Sequence, residues 1–166
     1  MIVVSDTSPL NYLILVGQVD LLPAIFNRVV TPPAVMVELS HPGAPTLVRG
    51  WAALPPKWLE IIAPATIDPN LSLGAGESAA ICVARELNAD ALLVDERTAT
   101  KVAERLGLLA IGTLGVLELA AERRLIDLGL TITALRQTTF RGTDQLFDDL
   151  LKRDAQRRAD SGGSGP

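Results

Sequence analysis

The sequence contains few of the residues that build disulfide, zinc or triad sites. Its 166 residues include one cysteine, one histidine and only 4% aromatic side chains. Cys82 has no partner for an internal disulfide, and its apolar surroundings predict a buried small side chain. His41 lies in a Pro-Gly turn without cysteine or histidine partners, which supports neither a zinc site nor a Ser-His-Asp triad. We therefore expect a cytoplasmic protein whose chemistry depends on other side chains.

Long apolar runs and an excess of positive charge are also absent. The uncharged runs at residues 7–19 and 106–117 are shorter than the roughly 18 residues of a membrane-spanning helix, so no membrane segment is expected. The 15 Lys and Arg residues are outnumbered by 19 Asp and Glu residues, which gives a net charge of -4. A nucleic acid must therefore bind to a local basic patch rather than to a globally basic surface.

What the chain does contain is a regular alternation of strand and helix signals, with 48% hydrophobic residues overall. This alternation predicts an α/β fold of βα units around a parallel sheet. The main domain is expected at residues 1–142, followed by an amphipathic helix at 143–158 that packs on it or on a partner, and by a disordered tail at 159–166. Short apolar runs predict the buried strands, at residues 2–5, 29–30, 59–62, 91–94 and 109–111.

Two aspartates directly follow predicted strands. Asp6 comes after the strand at residues 2–5, and Asp95 comes after the strand at 91–94. Ligands of open parallel sheets bind outside the carboxyl ends of the strands, so both side chains are expected to face one crevice. The alternative is that each aspartate simply caps the helix that follows it.

Two glutamates and a hydroxyl are candidates for the same crevice. Glu38 lies in an otherwise apolar helical stretch, where it is either a functional group or an ordinary solvent-facing residue. Glu77 follows two glycines at a helix start, where an acid also stabilises the first turn. Ser8, like Thr7, offers a hydroxyl to the crevice, although Ser8 also suits a helix N-cap. Converging carboxylates repel one another, and Mg²⁺ or Mn²⁺ relieves that repulsion and can activate water toward a phosphodiester.

The segments that carry these acids resemble the PIN-domain superfamily, and within it the prokaryotic branch similar to VapC-type toxin ribonucleases. The resemblance covers roughly residues 1–140. It rests on six segments in order: SDTSPL at 5–10, VEL at 37–39, GAGESAAI at 74–81, LLVDE at 92–96, LGL at 106–108 and GTLGVL at 112–117.

The resemblance implies a metal-dependent endoribonuclease that acts as the toxin of a type II toxin-antitoxin pair, with RNA as substrate and an antitoxin protein as partner. It also implies a three-layer α/β/α fold with helices on both faces of a central parallel sheet, Mg²⁺ or Mn²⁺ as cofactor, and Ser8 as the accessory hydroxyl. The metal would be held by Asp6, Asp95 and Glu77. The implied catalytic acids are, in chain order, Asp6, Glu38, Glu77 and Asp95.

The sequence departs from the family pattern at two places. The third acid is Glu77 where many relatives have aspartate, and no further acid or Asn follows Asp95 in residues 97–99. The alternative function is a non-catalytic PIN-like or receiver-like α/β module that binds a cation, a nucleic acid or a protein without cleavage.

A basic stripe and a few aromatic residues are candidates for RNA contact. The stripe consists of Arg97, Lys101 and Arg105, which recur at intervals of four on a predicted helix. Because Glu96 and Glu104 interleave it, the stripe is equally consistent with an ordinary solvated face. The aromatic residues suit stacking on bases, but core or interface positions are the alternative. They are Tyr12, Trp51 and Trp58.

A homodimer is the last expectation from composition. The mean hydropathy of +0.31 indicates more apolar surface than a small α/β monomer readily buries. Apolar helix faces at residues 10–22 or 116–125 are predicted to form the interface.

Overall fold

The computed structural model describes residues 1–162, and its backbone divides into two compact units. The first unit is Met1–Thr113, and the second begins at Leu114. Within the described residues no helix combines the length and the apolar character that a membrane span requires.

A five-stranded sheet lies in the first unit, and all of its neighbouring strands pair in parallel. Their order is β3-β2-β1-β4-β5. The strand predicted near residues 59–62 pairs with β2, where Val29 lies opposite Leu59. The strands are β1 (Ile2–Ser5), β2 (Arg28–Thr31), β3 (Leu59–Ile61), β4 (Ala91–Leu93) and β5 (Ala110–Ile111).

Helices connect the strands and confirm the predicted three-layer α/β/α class. The predicted N-cap of the first helix is corrected: Asp6, in extended conformation, is the N-cap, and Ser8 lies inside the helix. The helices are α1 (Thr7–Leu15), α2 (Leu21–Ile25), α3 (Pro33–Leu39), α4 (Thr46–Ala53), α5 (Ala75–Glu86), α6 (Arg97–Arg105), α7 (Thr113–Glu122), α8 (Leu128–Arg136) and α9 (Asp144–Gly162).

The core on one face of the sheet is built from aligned strand residues and small helix residues. Val4 lies opposite both Val30 and Leu92, so the three side chains form one row across β2, β1 and β4. Helix α5 packs on this row through small and β-branched side chains, among them Cys82, which is 6% exposed as expected. The small side chains bring the helix close to the sheet, and the close packing fixes the position of its N-terminus.

The strand order creates a switch point between β1 and β4. From β1 the chain passes outward to β2 and β3, then returns to β4 on the other side of β1. The backbone N–H of Asp6 extends this pairing, because it donates to the carbonyl oxygen of Leu93 at 2.9 Å. In open α/β sheets the crevice at such a point is the usual ligand site.

The second unit contains most of α7 together with α8 and α9. Phe147 and Leu150 of α9 are buried, whereas Leu146, on the same predicted apolar face, is 45% exposed. Helix α9 ends at Gly162, later than the predicted end at residue 158, and residues 163–166 of the predicted tail lie outside the described residues. Glu118 of α7 accepts hydrogen bonds from Arg153 at 2.7 and 3.1 Å and from Arg157 at 3.1 Å.

We expect Glu118→Gln to lower the stability of the second unit at pH 7 by about 1–2 kcal/mol, because the ion pairs of Arg153 and Arg157 with residue 118 lose their negative partner. The arginine partners hold the pKa of Glu118 below its ordinary value of 4.5, with Arg153 contributing most. The stabilisation is therefore present above the ordinary pKa and lost as pH falls through the lowered one. Thermal unfolding at pH 7 and at acidic pH measures this. Glu104→Gln, at an exposed position, is the control, and equal losses in both variants would contradict the prediction.

The helix faces predicted for a homodimer are largely buried within the chain. Leu10, Leu13 and Leu22 are fully buried, and so are Val116 and Leu117. These side chains are therefore unavailable to a second copy, and this part of the interface prediction is wrong.

Candidate active site

Asp6 occupies the centre of the crevice at the switch point. Its side chain is 3% exposed, and its Oδ1 atom has no hydrogen-bond partner among the described residues. Burial is the main cause that raises the pKa of Asp6 to about 7; the carboxylates of Glu77, Glu38 and Asp95 contribute to the rise, and the Thr7 N–H opposes it. A buried carboxylate with one oxygen that accepts no hydrogen bond is costly unless a proton or a cation neutralises the group.

Glu38 reaches this crevice from α3 and is half-buried. The hydroxyl of Thr7 donates to its Oε2 atom, and the backbone N–H of Gly76 donates to its Oε1 atom at 2.9 Å. The Glu38 carboxylate can lie this close to residue 76 only because that residue is glycine. A Cβ at position 76 would lie 2.6 Å from Oε2 and 2.8 Å from Oε1 of Glu38. The two donors hold the carboxylate beside the first turn of α5.

Glu77 lies in that first turn and is half-buried. Its Oε2 atom accepts from the N–H of Gly74 at 3.0 Å, as in a capping box. This contact is the one that the helix-stabilising alternative for Glu77 predicts. Among the three carboxylates whose charges raise the pKa of Asp6, however, Glu77 contributes most. The residue therefore stabilises the helix and adds negative charge to the crevice.

Asp95 follows β4 and is held from the start of α7. Thr113 donates its backbone N–H to Oδ1 and its hydroxyl to Oδ2, both at 2.7 Å. Burial raises the pKa of Asp95, and the two Thr113 donors oppose that rise. Asp95 therefore does not cap the helix that follows it; Glu96 does, by accepting from the N–H of Ala99 at 2.8 Å.

The donor chemistry of the crevice fits a hard divalent cation, which prefers oxygen ligands. Asp6 offers a buried oxygen with no partner, and the three neighbouring carboxylates supply negative charge. Among the described side chains, however, no three Asp, Glu, His or Cys residues lie close enough together to form a metal-binding cluster. The residues fit a divalent cation chemically, although Glu38, Glu77 and Asp95 already accept hydrogen bonds from described residues, whereas the buried Oδ1 of Asp6 has no partner among them.

The basic stripe lies on α6, directly after Asp95 and Glu96. Arg97, Lys101 and Arg105 are all exposed. Ala99 and Ala103 form the opposite, buried face of the helix. None of the three cations makes an ion pair with a described residue, although Glu104 is exposed on the same helix.

The two tryptophans contact each other instead of forming an open platform. The ring centroids of Trp51 and Trp58 are 6.2 Å apart, and the Nε1–H of Trp58 donates to Asp20 at 3.3 Å. Tyr12 is half-buried in α1. These contacts favour the packing alternative for the aromatic residues.

Three residues that donate hydrogen bonds to the crevice acids were not predicted from the sequence to do so. Thr7, rather than Ser8, supplies the hydroxyl that contacts an acid, and Gly76 and Thr113 supply backbone donors. Thr113 had a signal in the sequence, because it follows β5 at the same edge of the sheet as Asp6 and Asp95. The contact between Gly76 and Glu38 joins residues 38 positions apart, and their spacing along the chain does not indicate it.

Comparison with known proteins gives one match. The family model DUF3368, described as a PIN domain, matches residues 2–156. No curated protein and no solved structure matches the chain significantly.

Proposed function

This chain belongs to the PIN-domain family, a nuclease-type fold, and from that premise we propose that it is a divalent-metal-dependent endoribonuclease. The observation that carries the proposal is the buried carboxylate of Asp6, whose Oδ1 atom has no partner among the described residues, beside three further carboxylates at the switch point of the sheet. Such a concentration of negative charge repels a phosphate backbone unless a cation is bound.

The proposed roles follow from how each acid is held. Asp6, Asp95 and Glu77 would hold Mg²⁺ or Mn²⁺, which when bound supplies a Lewis acid and lowers the pKa of a water. Glu38, the second acid in chain order, would be the remaining catalytic acid, and its carboxylate is kept at the crevice by Thr7 and Gly76. Burial of Asp6 excludes bulk water from the centre of the site and strengthens its electrostatic interactions.

The proposal is tested by incubating the purified protein with a mixed RNA pool in Mg²⁺, in Mn²⁺ and in EDTA. We expect cleavage with either metal and none in EDTA. Asp20→Asn, at an exposed aspartate outside the crevice, serves as the matched control for substitutions of the acids.

The non-catalytic alternative is favoured by the hydrogen bonds that already occupy three carboxylates. Tight Mn²⁺ binding with no RNA cleavage would establish that alternative.

We propose that RNA lies along the basic stripe of Arg97, Lys101 and Arg105. The exposure of all three cations beside Asp95 supports this placement. We expect the double variant Arg97→Glu and Lys101→Glu to weaken RNA binding at low salt, and to reduce the slope of log K against log salt by about 1.4 through the loss of two phosphate contacts.

Filter binding or fluorescence anisotropy across a salt series measures this effect. The matched control is the double variant Arg49→Glu and Lys57→Glu, which changes the net charge equally at exposed positions outside α6. Mn²⁺ affinity is expected to stay unchanged in both. Equal RNA affinity of the stripe variant and the wild type at low salt would assign the stripe to an ordinary solvated face.

We further propose that the nuclease is a toxin with an antitoxin partner and that it forms a homodimer. The resemblance of residues 1–140 to VapC-type toxins supports the first point, and the mean hydropathy of +0.31 supports the second. Growth arrest on expression of the wild type, but not of Asp6→Asn, is the expected result for a toxin. Sedimentation at micromolar concentration tests the dimer, and a monomer there would reject it.

A further inference from the structure

Thr113 joins the edge of the sheet to the start of α7, and its side chain is fully buried. Its N–H and hydroxyl donate to different oxygens of Asp95, both at 2.7 Å. The preceding residue, Gly112, also lies against this carboxylate, since a Cβ there would come within 3.0 Å of Oδ1. The Asp95 carboxylate is therefore enclosed by the segment that links β5 to α7.

Two donors on two oxygens determine the orientation of a carboxylate. One donor would leave the Asp95 carboxylate free to rotate about its Cβ–Cγ bond, whereas a donor on each oxygen fixes the plane of the group. The lone pairs of Oδ1 and Oδ2 that accept no hydrogen bond from Thr113 then have a fixed orientation. A ligand side chain held in this way binds with less loss of conformational entropy, and its alignment does not depend on substrate.

We propose that Thr113 is a positioning residue that acts through Asp95, its hydroxyl fixing the orientation in which Asp95 faces the crevice. This inference rests on the proposed function, because it assigns Asp95 to the metal-binding acids. Thr113 itself does not contact the reacting atoms. The contrasting possibility is that the pair only anchors α7, since the Thr113 N–H lies at the start of that helix.

The hydroxyl and the backbone donor can be separated by substitution. Thr113→Val removes the hydroxyl at nearly constant volume, Thr113→Ala removes it without placing a methyl group near Oδ2, and Thr113→Ser retains it. All three keep the N–H that anchors the helix. An anchoring role alone is therefore preserved in every variant, while a positioning role is retained only in Thr113→Ser.

The experiment measures Mn²⁺ affinity by calorimetry and, separately, kcat and KM for RNA cleavage, with thermal unfolding of each metal-free variant as the folding control. We expect Thr113→Ala and Thr113→Val to lose about tenfold to a hundredfold in Mn²⁺ affinity and in kcat at metal saturation, with KM for RNA nearly unchanged. Thr113→Ser is expected to recover most of both.

Two outcomes would overturn the role of Thr113. One is wild-type Mn²⁺ affinity in a folded Thr113→Ala variant, and the other is an equal loss of affinity in Thr113→Ser. Failure of the proposed nuclease function gives a different result, because the wild type would then bind Mn²⁺ without cleaving RNA. The affinity measurements still decide the role of Thr113 in that case.

Discussion

Asp6→Asn is expected to abolish RNA cleavage and, at the same time, to make the metal-free protein more stable than the wild type above neutral pH. Activity is lost because an amide cannot supply the negative charge that holds a divalent cation. Stability rises because the substitution removes a buried charge that has no donor on Oδ1 and faces three other carboxylates.

The pH dependence of this effect has a definite sign. The pKa of Asp6 is about 7 in the folded protein against an ordinary value of 3.8. A raised pKa contributes stability below the ordinary value, and that contribution is lost as pH rises through about 7. The wild type should therefore lose up to about 4 kcal/mol over this range, at 1.36 kcal/mol per unit, while Asp6→Asn should not.

Urea unfolding in EDTA at pH 5 and at pH 8 measures the difference. The exposed Asp20→Asn variant should follow the wild type at both values. If Asp6→Asn were the less stable protein at pH 8, Asp6 would have to be a structural residue whose carboxylate supports the fold.

The second large effect is expected from Gly76→Ala, which displaces Glu38. The added Cβ would lie within 2.9 Å of three atoms of the Glu38 carboxyl group. Because the carboxyl group must move, it loses the bond from the Gly76 N–H, whose partly buried donor is then unsatisfied at a cost of about 1–3 kcal/mol. Cleavage is expected to fall by about tenfold or more through the misplacement of Glu38.

Gly50→Ala is the matched control for this substitution. Gly50 also lies in a helix, and a Cβ there has no neighbour within 4 Å. Alanine at this position should raise stability slightly, by the helix propensity that glycine lacks, with activity unchanged. A Gly76→Ala variant as active as the wild type would show that Glu38 adapts to the shift or is dispensable.

The sequence was informative wherever function depends on position along a strand. Asp6 and Asp95 could be placed together because both follow apolar runs whose carboxyl ends meet in a parallel sheet. The same reasoning applies to Thr113 after β5, where the strand of two residues is too short to give a strong signal. The alternation of elements predicted βα units around a parallel sheet, and the family resemblance added the helices on both of its faces.

The contacts that hold the acids could not be read from the sequence. The bond from Thr7 to Glu38 spans 31 positions and that from Gly76 to Glu38 spans 38, so both depend on how α1, α3 and α5 pack. The predicted dimer faces failed for a related reason. Apolar periodicity shows that a helix face is buried but not whether the chain itself or a second copy covers it.

The strand order also determines which strand edges are unpaired while the chain is being synthesised. The first three strands leave the ribosome before β4, and until residues 91–93 arrive one edge of β1 has no partner. An unpaired central strand can pair with other chains, so nascent chains are exposed to aggregation at this stage. Asp95 arrives with the same segment that closes this edge. Pairing of β4 with β1 therefore covers the open edge and brings Asp95 toward Asp6 in the same step.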